Sequence, residues 1–362
     1  MALLQPVLMG MAGLADDRLR LHLTLNLEGA VMAGGDLAPG NYGEGFVDRR
    51  HPHTWLHEAL AVVGDPRGTS RRARVAMALG KGFVPFGTDD PMGRPFLRFP
   101  VNHHLAQLPE RIVGLVGVRA GPVALESALF NGDEPQGPGT GPEWSRFGDS
   151  WSARATVFAG RGVELQGSHA FVRSPEYAAG AGNDQRKWSA SARWAGAAGG
   201  TPAYILGEWA RTDEATGAFT CTSLLAEGAV TLGRHELALR VERTDRPEEE
   251  RLDDPFRSPR PHFEVSNLGI SRWSSVTAAW WFTAWRGPGN ARVVPVAEVT
   301  VGTMHDRGGG LFRVREWYGG ETFWALGLGV RVAAGPAMRR MGRYGVLAEP
   351  PAPKGADDHV GH

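Results

Sequence analysis

Between Arg18 and Glu28 leucine takes every second position: Leu19, Leu21, Leu23, Leu25 and Leu27 alternate with Arg20, His22, Thr24 and Asn26. A period of two belongs to a β-strand, whose successive side chains point to opposite faces; a helix would scatter these leucines around its circumference. The pattern recurs. Trp151, Ala153, Ala155 and Val157 alternate with Ser152, Arg154 and Thr156, and Trp188, Ala190, Ala192 and Trp194 with Ser189, Ser191 and Arg193. Leu237, Leu239 and Val241 alternate with Glu236, Arg240 and Glu242, and Leu326, Leu328, Val330 and Val332 with Gly327, Gly329 and Arg331. The periodicity predicts about fourteen strands, over 18–30, 54–64, 71–82, 111–120, 122–132, 149–159, 162–173, 185–196, 202–212, 219–232, 234–245, 265–284, 290–303 and 321–334.

The connections sort by parity. After even strands they are short (64–70, 120–121, 160–161, 197–200, 233 and 285–289), and after odd strands mostly long (31–53, 83–110, 133–148, 174–184, 213–218, 246–264 and 304–320). Short turns on one rim and long loops on the other describe an antiparallel up-and-down barrel of the outer-membrane type. An even count of strands leaves both termini on the short-turn, periplasmic side. A soluble sandwich gives loop length no reason to alternate.

Most predicted strands reach the ~9–11 residues that cross a bilayer at a tilt, against ~5–6 in soluble proteins. In hydrocarbon no backbone donor goes unpaired, so such a sheet closes on itself. The polar alternates then face a lumen, which accounts for Arg, Glu and Lys in mid-strand. A soluble barrel of this size would bury them in a dry interior at high cost. Trp151, Trp188, Trp194, Trp209, Trp280 and Trp324 lie near strand ends, where interfacial girdles place an apolar ring with a wet N–H.

Of 362 residues, 50 are Gly and 25 are Pro, too many breakers for an all-α fold. With 39 basic and 39 acidic residues the net charge is zero, which argues against nucleic acid as a partner. One cysteine, Cys221, excludes a disulfide framework. Residues 1–15 are largely apolar, uncharged and end in small residues, which reads as a signal-peptide remnant or an N-terminal segment. Residues 16–334 are the barrel and 335–362 a periplasmic C-terminal tail, Pro-rich and disordered from Glu349 on.

Gly80-Lys81-Gly82-Phe83-Val84-Pro85-Phe86-Gly87 resembles the strand-end G-x-F-x-x-P-F-G stretch of bacterial phosphate-selective porins of the O/P type, with Gly82 in the Phe slot and Phe83 one place late. The resemblance implies an outer-membrane porin of sixteen strands with a basic pore. The pattern here gives about fourteen strands, with sixteen possible and Met341–Tyr344 a further strand or a tail, and the lumen charges balance, so phosphate selectivity is not carried over.

The pore-lining candidates are Arg20, Glu28, Glu126, Arg154, Glu164, Lys187, Arg193, Glu208, Glu236, Arg240 and Glu242. Near-neutrality builds no ring of one sign and predicts weak ion selectivity. Loop 83–110 carries Phe83, Phe86, Phe96 and Phe99 with Pro85, Pro91, Pro95 and Pro100, too apolar to stand in water; it is expected to enter the lumen as a constriction lined by Asp89, Asp90, Arg94 and Arg98. His51, His53 and His57, with His103 and His104, would form a loop-borne metal site. The mixed charge run 245–254 would meet lipopolysaccharide or simply water. No catalytic constellation, nucleophile elbow or phosphate loop is present in the sequence, and no cofactor is expected. The reading is a channel of a Gram-negative-type outer membrane for passive diffusion of small hydrophilic solutes, with lipid, lipopolysaccharide and further copies of the chain as partners. The alternatives are a plugged barrel with a structural or adhesive role, or a metal-binding outer-membrane receptor.

Overall fold

The computed structural model describes residues 6–27, 54–64, 73–89, 91–135, 139–175, 179–249, 267–308, 310–335 and 340–347. Its strands are β1 (Val7–Leu14), β2 (Leu19–Asn26), β3 (Leu56–Gly64), β4 (Arg74–Gly82), β5 (Arg111–Ala120), β6 (Val123–Phe130), β7 (Ser150–Gly160) and β8 (Val163–Val172). They continue with β9 (Gln185–Ala198), β10 (Thr201–Glu214), β11 (Phe219–Leu232), β12 (His235–Glu249), β13 (Asn267–Phe282), β14 (Trp285–Gly287), β15 (Ala291–Asp306) and β16 (Thr322–Ala333). All sixteen belong to one sheet in which sequence neighbours pair antiparallel, except that β13 pairs β15 across the three-residue β14, which folds onto the foot of β15. Two short helices, α1 (His103–Ala106) and α2 (Val314–Tyr318), sit in connections.

The protein is thus all-β, a single antiparallel up-and-down sheet curled into a barrel wall. The curl follows from contacts: one connecting segment, 83–110, bonds to residues of β7, β8, β10, β12, β13 and β15 on a shared face. A flat sheet could not bring those strands to a single loop.

Two differences from the sequence reading concern the ends. Residues 7–14, read there within the N-terminal segment, form β1, which pairs with β2 through the tight turn 15–18. The uncharged apolar run finds in Leu19–Asn26 a partner that gives it a ladder. Val7 pairs with Asn26, so β1 begins at the long-loop rim rather than the short-turn rim. Among the described residues no ladder joins β1 to β16. The second difference is that Met341–Tyr344 is neither strand nor tail in water: it packs, buried, against the sheet's inner face.

Candidate functional site

The two faces of the wall are chemically distinct. Outward, Val63, Met77, Leu79, Val116, Leu125, Leu129, Leu165, Ile205, Leu224, Leu239, Val276, Val299 and Leu326 are all exposed. Their strand neighbours Thr24, Ser152, Arg154, Gln166, Lys187, Glu208, Glu227, Arg240, Glu242, Thr277 and Glu298 are buried on the other face. Trp151, Trp209 and Trp324, toward the loop rim, and Trp280 and Trp285, toward the turn rim, are exposed and bound this apolar belt. On the outer face beyond the loop-rim tryptophans the wall becomes ionic. Arg211 pairs with Asp213, and Arg272 with Asp245, at 2.9 and 2.7 Å.

The interior is built first by loop 83–110. Where β4 ends the chain turns inward, burying Phe83, Val84, Phe86, Phe96 and Phe99. Gly87 makes the bend: its φ is +66°, and a Cβ there would strike the Ala106 carbonyl oxygen. An irregular segment inside a wall has backbone donors that must find partners, and wall carboxylates supply them. Leu97 and Arg98 N–H donate to Glu298 at 2.7 and 3.2 Å, and Val101 N–H donates to Glu242 at 2.8 Å. Thr88 Oγ1 and Asn102 Nδ2 both donate to Glu208. The Arg94 guanidinium lies between Glu208 and Glu227 at 3.6 and 3.5 Å. Arg240 donates to Glu227 at 2.8 Å and to the Arg98 carbonyl at 2.9 Å, and stacks on Phe96 at 3.9 Å. Trp281 Nε1 donates to the Pro95 carbonyl at 2.8 Å.

The second occupant is residues 340–347. Arg343 forks onto both oxygens of Glu164 at 2.6 and 2.8 Å. Arg340 reaches Glu164 at 3.1 Å and Asp89 at 2.7 Å. Burial alone would raise the Asp89 carboxyl, but Arg340, which also donates a hydrogen bond, and then Arg193 and Arg94 hold it far below the usual carboxylate range. The Tyr344 hydroxyl accepts from Phe83 N–H at 3.1 Å and donates to Glu58. Val346 and Leu347 pack on Ala76 and Ala124. Beside them Gly117 leaves the space that Val346 fills: a Cβ there would lie 2.8 Å from Val346 Cγ2.

The residues singled out from the sequence divide accordingly. Glu126 and Arg154 face each other at 2.7 Å, and Lys187 Nζ donates to Thr212 at 3.1 Å. Glu164, Arg193, Glu208, Arg240 and Glu242 all meet the loop or the terminal segment. Arg20 and Glu236 are half-buried on the same inner face, and Glu28 lies outside the described residues. Of the loop set, Asp89 and Arg94 are buried within these contacts, Arg98 takes part through its backbone, and Asp90 lies outside the described residues.

Among the described residues the histidines do not assemble. His51 and His53 are outside the described residues. His57 stands in β3, not in a loop, fully buried, with Nδ1 2.7 Å from Glu110. His103 starts α1 with Nδ1 3.2 Å from the Pro100 carbonyl, and His104 follows it in that helix. Among the described residues no group of three or more His, Cys, Asp or Glu is placed to hold a metal.

Sequence reasoning missed Glu58, Glu227, Glu298, Arg340, Arg343 and Tyr344. Glu227 and Glu298 were within reach, since they share the parity of the polar face on predicted strands. The two arginines follow the last strand, where no period exists to place them.

No protein-family model matches the chain, and no curated protein matches it in sequence. Among solved structures it is similar to an anion-selective porin from Comamonas acidovorans, with TM-score 0.45, 9% identity, and 84% of this chain and 80% of that one covered. It is also similar to Pseudomonas aeruginosa OccK9 (OpdG), with TM-score 0.46, 16% identity, and coverage of 91% and 81%. A third similarity is to a bacterial polysaccharide outer membrane secretin, with TM-score 0.41, 13% identity, and coverage of 80% and 83%.

Proposed function

We propose that this protein is a channel of the Gram-negative-type outer membrane through which small hydrophilic solutes diffuse passively, with loop 83–110 as its constriction. The observation that carries the reading is the sorting of side chains between the faces. Apolar residues such as Leu79, Leu125 and Leu239 are exposed, while Arg154, Glu208, Glu227 and Arg240 are buried behind them. In water that arrangement is inside out; in a bilayer the outer belt meets lipid and the inner face is a polar lumen. The inner charges pair with one another, so no single-sign ring forms and ion selectivity is weak. Phosphate selectivity gains no support from the 80–87 stretch, because its Lys81 is buried, donating to Thr54.

Outer-membrane lipid and lipopolysaccharide are the surroundings in this reading. The small outward residues Gly114, Ser127, Ala153, Ala155 and Gly167 of the β5–β8 face support packing against a second copy. The test is planar-bilayer conductance of refolded protein in a salt gradient. A small conductance with a reversal potential near zero is expected, and strong preference for one sign of ion overturns the weak selectivity.

A second reading has its own observation: the loop and the terminal segment are both packed against the inner face. A barrel filled in this way would be a structural or adhesive envelope component. Liposome swelling separates the two, because a closed barrel passes no sugar.

A further inference from the structure

The wall formed by β3–β8 carries an inner-face site whose ligand is the chain itself. Leu60, Val62, Ala76, Ala78, Leu115 and Ala124 are buried on the inner face, where a water-lined pore would have polar groups. Apolar side chains there need an apolar cover. Met341, Tyr344, Val346 and Leu347 provide it and are themselves buried.

The fit is specific at both ends. At one end Gly117 has no Cβ where Val346 sits, and Gly82 has none where the Tyr344 ring sits; a Cβ at Gly82 would lie 2.8 Å from the hydroxyl oxygen. At the other end Glu164, on β8, is forked by Arg343 and also bonded by Arg340, which reaches Asp89 in the loop. A bidentate guanidinium–carboxylate pair is among the strongest and most geometrically selective polar contacts a protein makes. Arg154 adds a bond to the Gly342 carbonyl at 3.3 Å.

The segment therefore spans the interior from the Ala76–Ala124 groove, through Glu58 near the loop end of β3, to the constriction loop at Asp89. The strand before it, β16, ends at the turn rim, with Ala333 opposite Arg292, the second residue of β15 beside the β13–β15 turn.

We propose that residues 340–347 are a tethered plug: an intramolecular peptide ligand that closes the lumen from the turn-rim side and whose release opens it. The proposal rests on the channel reading above. The site recognises a turned peptide, two guanidinium groups followed by an aromatic hydroxyl and an aliphatic end wound into a single 3-10 turn over Gly345–Leu347.

The test locks and releases the plug in the full chain. In a Cys221→Ser background, Gly117→Cys with Val346→Cys sets two thiols within contact range, since a Cβ at Gly117 would lie 2.8 Å from Val346 Cγ2. The expected result is an intramolecular cross-link on mild oxidation, seen as a reducible gel shift, with conductance lower in the locked form and raised several-fold on reduction. Arg340→Glu with Arg343→Glu, which sets like charges against Glu164 and Asp89, should raise conductance without oxidation. A synthetic Arg340–Leu347 octapeptide, added on the turn-rim side of that variant, should lower it again.

Failure of the cross-link to form with both thiols reactive overturns the docking. A cross-link that leaves the current unchanged overturns the gating. Either result leaves the channel reading standing if a loop-deleted form conducts. If locked, reduced, charge-reversed and loop-deleted forms all pass no current, the channel reading falls and the plug as a gate falls with it.

Discussion

The short wall, β3–β8, and the tall wall, β9–β15, look alike from outside and differ inside. Both present an alternating apolar face to the exterior. The short wall has strands of 8 to 11 residues, and beside the Glu126–Arg154 pair its interior holds a broad apolar patch: Leu60, Val62, Val113, Leu115, Phe130, Ala170 and Val172 belong to one buried cluster with Phe83, Phe86 and Tyr344. The tall wall, apart from the short β14, has strands of 14 to 16 residues. Its interior is a ladder of charge, in which Glu208, Glu227, Glu242 and Glu298 take loop donors and Arg240 joins Glu227 to the Arg98 carbonyl of the loop. A lipid-facing surface can be satisfied in only one way, by apolar side chains. A lumen-facing surface can be satisfied by water, by an ionic loop or by an apolar plug, so its composition records what fills it.

The sharpest way to break the comparison is to empty the tall side. Deleting residues 88–98 removes Arg94 and the Leu97–Arg98 backbone donors from Glu208, Glu227 and Glu298. Single-channel conductance should rise several-fold, the largest change expected of any variant here. An unchanged conductance would remove the loop from the solute path.

The short side should respond in stability rather than in flow. Leu60→Ala opens a void in a cluster that includes Val62, Phe83 and Tyr344. The expected loss is ~2–5 kcal/mol in urea unfolding, with the reversal potential unmoved. A selectivity change in that variant would mean that the apolar cluster lines the path. The opposite signature belongs to Glu208→Gln, which takes the charge from one partner of Arg94 and weakens the acceptor of Thr88 and Asn102. Its reversal potential should shift toward anions, with a stability loss of ~1–3 kcal/mol. If the shift is toward cations, or absent, the Arg94 charge is not sensed by the permeating ion.

The same asymmetry explains how much was legible in the sequence. The outer face was legible because Leu21 and Leu23, or Ala153 and Ala155, need only lipid, and a local period of two reports that. Loop 83–110 was legible as an inward segment because its phenylalanines have no place in water. The partners of the inner face were not. Leu60 and Val62 break the alternation of β3 because they answer to Phe83, Met341 and Tyr344, far along the chain. Tyr344 finds Glu58 across 286 positions, and no periodicity encodes a contact of that span. His57 carries the same lesson: it shares a parity with His51 and His53, yet the structure sets it against Glu110, at the far end of loop 83–110.

The smallest effect expected is that of pH, and its sign follows from Asp89, where the two sides of the interior meet. Asp89 faces Arg340 of the terminal segment, Arg193 of β9 and Arg94 of its own loop. Burial favours the neutral acid, but three guanidinium groups outweigh it and hold the carboxyl well below its ordinary range. A carboxyl lowered by folding contributes its pairing at every pH above the ordinary value and loses it only as pH falls through the lowered one. Arginine stays charged throughout this range. The junction between loop and plug should therefore hold unchanged from about pH 8 to about pH 5, and conductance should be flat across that window. Asp89→Asn keeps the shape and removes the charge, leaving Arg340 with Glu164 alone. That variant should conduct modestly better at every pH in the window. A steep titration of the wild-type current within it would mean that some group other than this arginine-clamped carboxylate joins the two walls.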